Sequence, residues 1–180
     1  AYVTVKLGSQ DKWQMSVGKM CVDWGGIEFD LNPVFIYEYS DIIEQADNFM
    51  SGVQIQHNIS DGNSIGLQVV NSRTQSFEEL YGPDSIIGGL GIEPSLAPLA
   101  GIFTWRGSFG KFSTLYSYSI FTEAKGYFSN YIALGNMLTF KKVTFSYDFK
   151  ISVEGLDRTG IVSQTIPREE FNYTLTNTLY

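Results

Sequence analysis

From Val143 to Val153 the chain alternates without a break. Val143, Phe145, Tyr147, Phe149, Ile151 and Val153 are apolar or aromatic, and Thr144, Ser146, Asp148, Lys150 and Ser152 stand between them. Successive side chains of a strand point to opposite faces, so this segment predicts a β-strand with one greasy face and one polar face. A helix has no use for a period of two. The same alternation sets Val3, Val5 and Leu7 against Tyr2, Thr4 and Lys6, and Val53, Ile55 and Ile59 against Gln54, Gln56 and Asn58. It returns in Ile65, Leu67 and Val69, in Phe103, Trp105 and Phe109 around Thr104, Arg106 and Ser108, and in Phe112, Tyr116, Tyr118 and Ile120 around Ser113, Ser117 and Ser119. Tyr127 to Phe140 is a further β-run with no assignable outward face, because Asn130 and Asn136 share a face with Ile132, Leu134 and Leu138. Helical patterning is scarce; Tyr39 to Asn48 is the one place for a short turn of helix.

Composition removes several classes. The 180 residues include 11 Tyr, 13 Phe and 3 Trp, and only 17% are charged, against about 25% in an ordinary soluble domain. So many aromatic and β-branched residues offset the entropy of ordering, which excludes a disordered chain. With a net charge of -7 and no basic run, the chain has nothing to neutralise phosphates, so nucleic acid is not an expected partner. One cysteine, Cys21, and one histidine, His57, exclude a disulfide framework and a zinc cluster, and no metal or other cofactor is expected. No 18-residue apolar stretch predicts a transmembrane helix, and Ala1 to Lys6 lack the plan of a signal peptide.

The connections fall into two kinds. Gly8–Asp11, Ser60–Asn63, Phe109–Lys111 and Phe140–Lys142 are tight, and Asp61-Gly62 is hairpin chemistry because glycine accepts positive φ. Long connections of about 21–48, 73–98 and 154–170 alternate with them, the brief Glu123–Gly126 link excepted. This rhythm collects the long loops at one end of a sheet and the tight turns at the other. Two all-β architectures accommodate it: a soluble jelly roll with apolar residues in a core, or an outer-membrane barrel with apolar residues toward lipid and polar residues toward a wet lumen. Strand length favours the barrel, since the runs approach the 9–11 residues that cross a bilayer with tilt. Aromatics at strand ends, such as Phe109, Phe112, Tyr127 and Phe140, also suit interfacial girdles. The predicted class is therefore an all-β, transmembrane antiparallel barrel.

Nine strands are predicted, at about 1–7, 12–20, 49–59, 64–72, 98–109, 112–122, 127–139, 143–153 and 171–180. Single-chain bacterial barrels have even strand numbers, so the expectation is one segment, residues 1–180, of a larger barrel, entered and left inside a strand.

The stretch Cys21-Val22-Asp23-Trp24-Gly25-Gly26-Ile27-Glu28-Phe29-Asp30-Leu31-Asn32-Pro33, followed by Ile36-Tyr37-Glu38-Tyr39-Ser40-Asp41, resembles the Bacteroidetes outer-membrane porins grouped with the phosphate-selective porins O and P. The resemblance implies a trimeric, many-stranded barrel in the bacterial outer membrane that passes small solutes or ions and does no enzymatic chemistry. Phosphate selectivity is not carried across. Anion pores use rings of basic side chains, and the lumen-facing candidates here are Lys6, Arg106 and Lys150, with Asp148 beside them.

The loop from Cys21 to Asn48 is the leading functional candidate. If it folds into the lumen, Asp23, Glu28, Asp30, Glu38 and Asp41 would line a constriction that favours cations; otherwise it is a solvated loop. A charge on the lipid side costs about 2–4 kcal/mol at mid-membrane, so Arg106 and Lys150 are expected to point inward. The residues leave open whether they meet solute or pair with Asp148 or a loop acid. His57 shares the face of Val53 and Ile55 and needs no function, and Cys21 reads as a small apolar filler. Glu28-Phe29-Asp30 resembles the first part of a jelly-roll glycosidase Glu-x-Asp-x-x-Glu, but Pro33 occupies the third carboxylate position. The rival functions are a soluble carbohydrate-binding jelly roll and an outer-membrane barrel that docks a partner.

Overall fold

The computed structural model describes residues 1–8, 12–22, 49–72, 92–141, 143–155 and 170–179. These form one antiparallel sheet of nine strands in chain order: β1 (Tyr2–Leu7), β2 (Trp13–Cys21), β3 (Phe49–Ser60), β4 (Asn63–Asn71), β5 (Leu99–Phe109), β6 (Phe112–Ala124), β7 (Tyr127–Phe140), β8 (Val143–Glu154) and β9 (Glu170–Leu179). Each strand pairs with the next in sequence, so the sheet is an open meander with β1 and β9 at its edges. All nine predicted strands form, with bounds shifted by a residue or two. Gly62 and Gly110 take φ of 80° and 68° in their tight turns, a backbone region that residues with a Cβ seldom enter.

The two faces have inverted polarity. On one, Phe103 and Phe145 are each 48% exposed, in company with Val17, Ile55, Leu67, Ile120 and Ile132. On the other, Asp148 is 3% and Lys150 1% exposed, and Ser16, Gln68, Thr104, Ser117, Ser119 and Ser146 are buried with them. A water-soluble antiparallel sheet turns its apolar side to the core and its polar side to solvent. This sheet does the reverse. It has the patterning of a transmembrane barrel wall, apolar outside and polar within. The dimensions agree: the 11 residues of β5 span about 34 Å at ~3.4 Å per residue, and a tilt of ~40° leaves roughly 26 Å of height, against an apolar band of about 25 Å.

The outward face grades along the strands. Toward the tight turns, Trp105 packs against Tyr116 at 5.3 Å and Phe109 stacks on Phe112 at 6.5 Å between ring centroids. The Lys111 ammonium lies 5.2 Å from the centre of the Phe140 ring. An aromatic belt of this kind marks a boundary between apolar and wet surroundings. At the opposite end the register places Lys19, Ser51 and Asn71 side by side on β2 to β4, while Leu99 and Phe128 keep the outward face apolar on β5 and β7.

The outward face of β7 is settled by its neighbours. Ile132 is exposed and Tyr131 and Ala133 are buried, so Asn130 and Asn136 lie on the apolar side. Each is satisfied across the strand pair: the Tyr118 hydroxyl donates to Asn130 Oδ1 at 2.9 Å, and the Tyr116 hydroxyl to Asn136 Oδ1 at 2.9 Å. Thr114, also outward, donates its hydroxyl to the Gly135 carbonyl at 3.0 Å. Cys21 requires a correction. It is exposed and does not fill a gap as the small apolar filler expected of it, because it sits on the outward parity at the end of β2.

Candidate functional site

The enclosed face is organised in rows that cross the sheet. One row runs through Lys6, Gln14, Gln56, Gly66, Thr104, Ser117, Ala133, Lys150 and the Thr174 position. The next, toward the tight turns, contains Ser64, Arg106, Leu115, Gly135 and Asp148. Lys6, Arg106, Asp148 and Lys150 thus lie on the polar face expected for them, and each has an interaction partner. Partners are required, since a charge withdrawn from water is costly unless paired. The three cations do not form a ring: Lys6 and Lys150 share a row but stand on β1 and β8, and Arg106 shares its row with Asp148. Leu115, 1% exposed between Arg106 and Gly135, breaks the expected polarity of this face.

Toward the long-loop end the enclosed face changes character. Val70, Ala100, Ile102, Phe121 and Tyr131 form a buried apolar pad across β4 to β7, and Phe121 meets Tyr131 edge to face at 5.2 Å. Val22 and Met50, from the ends of β2 and β3, belong to the same cluster. Burying a valine, isoleucine, methionine or phenylalanine side chain in this way contributes about 1.5–3 kcal/mol. The ends of β2 and β3 lean over the inner face to join this cluster.

Two observations describe that lean. Gln68 donates from Nε2 to the Cys21 carbonyl at 3.1 Å, although the register aligns Gln68 with Gln54 and Ser16. Along an unbent strand Cys21 would lie about 17 Å beyond Ser16, at ~3.4 Å per residue, out of reach of a glutamine two strands away. Between Ser16 and Cys21 stands a pair of glycines in register, Gly18 and Gly52. Gly18 has φ of 134°, and a Cβ there would stand 2.6 Å from the Ala1 carbonyl oxygen; a Cβ on Gly52 would run into the Val69 carbonyl oxygen. Only glycine permits this approach.

The chain therefore enters residues 23–48 from a hairpin already turned inward. Asp23, Glu28, Asp30, Glu38 and Asp41 lie outside the described residues, as does the short helical turn expected at 39–48. The sequence marks the loop but not its anchor. Gly18, Gly52, Gln68, Val22, Met50 and Phe121 were missed, and the one available signal was glycine within two strands that are otherwise regular.

On the far side of the mouth, residues 92–98 lead into β5. Ser72 N–H donates to the Pro98 carbonyl at 2.7 Å, and Lys125 N–H to the Glu93 carbonyl at 2.9 Å. The Lys125 ammonium and Glu93 carboxylate also pair at 2.5 Å. That hydrogen-bonded ammonium holds Glu93 below the usual carboxylate range, and Glu93 in turn raises Lys125 above its ordinary value.

A wall with apolar exterior, aromatic belt, polar interior rows and an inward-leaning hairpin at its long-loop mouth defines a transmembrane β-barrel of the porin class. The chain belongs to the family described as phosphate-selective porin O and P, whose model matches residues 1–174. This is a family of bacterial outer-membrane channels and not an enzyme family. No curated protein and no solved structure matches the chain significantly.

Proposed function

We propose that this chain is a sector of a larger barrel, assembled as a trimer, that lets small hydrophilic solutes and ions diffuse passively and favours cations. The observation that carries the reading is the Gln68–Cys21 hydrogen bond, with Val22 seated in the inner apolar cluster. Together they turn the chain inward as far as Val22, from which the acidic segment continues. Residues 22–48 contain seven acids (Asp23, Glu28, Asp30, Glu38, Asp41, Glu44 and Asp47) and no lysine or arginine. In a narrow passage with low-dielectric walls such a set raises local cation concentration and repels anions. Lys6, Arg106, Asp148 and Lys150 line the wall below it as mixed charges, which supports passage without supplying the basic ring that phosphate selectivity needs. The inverted face polarity argues against a soluble carbohydrate-binding jelly roll.

The test is the reversal potential of the full-length channel with Glu28→Gln and Asp30→Asn together. Cation preference should fall. An unchanged reversal potential would remove the constriction from this loop.

A further inference from the structure

Among the described residues the outward face carries a concavity that the channel reading does not use. It is a groove of about 230 Å³ over β4, lined by Trp13, Ile55, His57, Ile65, Leu67 and Phe103. Its form follows from side-chain size. β4 presents the aliphatic Ile65 and Leu67 outward, whereas its neighbours raise the stacked Trp13–His57 pair on one side (ring centroids 4.1 Å apart) and Phe103 on the other. Low aliphatic floor between aromatic ridges makes a trough along the wall. The lining offers almost nothing polar except His57, whose Nδ1 is enclosed and has no hydrogen-bond partner among the described residues.

We infer that this groove holds an acyl chain of a membrane phospholipid. The inference rests on the membrane reading of the outward face, with which the groove is continuous. Its volume is below the roughly 300–1,000 Å³ of a pocket that encloses a small molecule, and suits part of a flexible hydrocarbon. A second copy of the chain is the poorer occupant, because a stable contact buries about 800 Å² on each partner and a single narrow trough supplies a small part of that. The Trp13–His57 pair lies at the tight-turn end of the trough, where amphipathic rings collect beside headgroups.

The experiment uses the full-length barrel, passed through vesicles of phosphatidylethanolamine and phosphatidylglycerol, re-extracted in detergent and weighed by native mass spectrometry. Unaltered protein should keep bound phospholipid. Leu67→Trp, and the milder Ile65→Phe, should lower retention about tenfold or more, equivalent to about 1.4 kcal/mol of binding free energy. Ile132→Trp, on the same face away from the groove, should leave retention unchanged. Equal retention in Leu67→Trp and the unaltered protein overturns the inference. So does a fall in oligomeric mass with phospholipid unchanged, which would assign the groove to a second copy. Heat-modifiable migration on a denaturing gel, scored on every variant, keeps the two ideas apart: an unaltered protein with no heat-resistant barrel defeats the membrane reading, and a folded barrel without retained lipid defeats the groove alone.

Discussion

The Tyr118 hydroxyl donates to Asn130 Oδ1 at 2.9 Å on the apolar face of the sheet, on adjacent strands and diagonal to the register. An asparagine amide facing hydrocarbon has no water to turn to, so this bond is what makes Asn130 tolerable there. Tyr118→Phe should destabilise the barrel by about 1–3 kcal/mol, the cost of leaving the amide oxygen unpaired. Adding Asn130→Leu should recover most of the loss. Denaturant unfolding in detergent micelles measures both; a Tyr118→Phe variant as stable as the parent would mean the asparagine finds water.

The inverted polarity can be tested with one charge placed twice. Ile132→Lys sets an ammonium on the outward face and should cost about 2–4 kcal/mol if that face meets the middle of a bilayer. Gln56→Lys sets it in the polar row on the enclosed face and should cost much less. Refolding equilibria into lipid vesicles decide the matter, and equal costs would contradict the assignment of faces.

How much of this was legible in sequence varied with the kind of information required. Strand positions and faces for Val143 to Val153 followed from period two alone, because the pleat allows no other reading of strict alternation. The face of Tyr127 to Phe140 did not, since Asn130 and Asn136 contradict their apolar neighbours. The resolving fact is a tyrosine on the preceding strand, and only the register brings it there. The inner apolar pad was also hidden: Ile102, Phe121 and Tyr131 sit on an otherwise polar face near the mouth, and nothing local separates them from outward residues. Lys6, Arg106, Asp148 and Lys150 were legible because the alternation that makes the strand also fixes their side of it.

The inward bend depends on Gly52. Gly52→Ala would drive a methyl into the Val69 carbonyl and Val70, at an overpacking cost of about 1–3 kcal/mol, relieved if the hairpin straightens. Single-channel recordings should then show larger conductance together with weaker cation preference. Conductance and preference both unchanged would separate the bend from the constriction.

The Glu93–Lys125 pair should act as a pH-limited tether at the long-loop mouth. Glu93 is lowered from its ordinary 4.5, so its contribution is present above that value and lost as pH falls through the depressed value. Lys125 is raised from 10.5, so its contribution is complete below 10.5 and lost as pH rises through the raised value. Both groups are largely exposed, so salt should weaken the pair. Protection of the Lys125 amide, read by hydrogen exchange, should hold at neutral pH and decline in acid or high salt. Glu93→Gln should show the lower protection at neutral pH as well, and equal protection in parent and variant at neutral pH and low salt would refute the tether.

The most direct measurement is a planar-bilayer recording of the unaltered full-length protein under a potassium chloride gradient. The account predicts stepwise open-channel currents whose reversal potential has the sign set by potassium. A bilayer that shows no steps, or a reversal potential with the sign set by chloride, would contradict it.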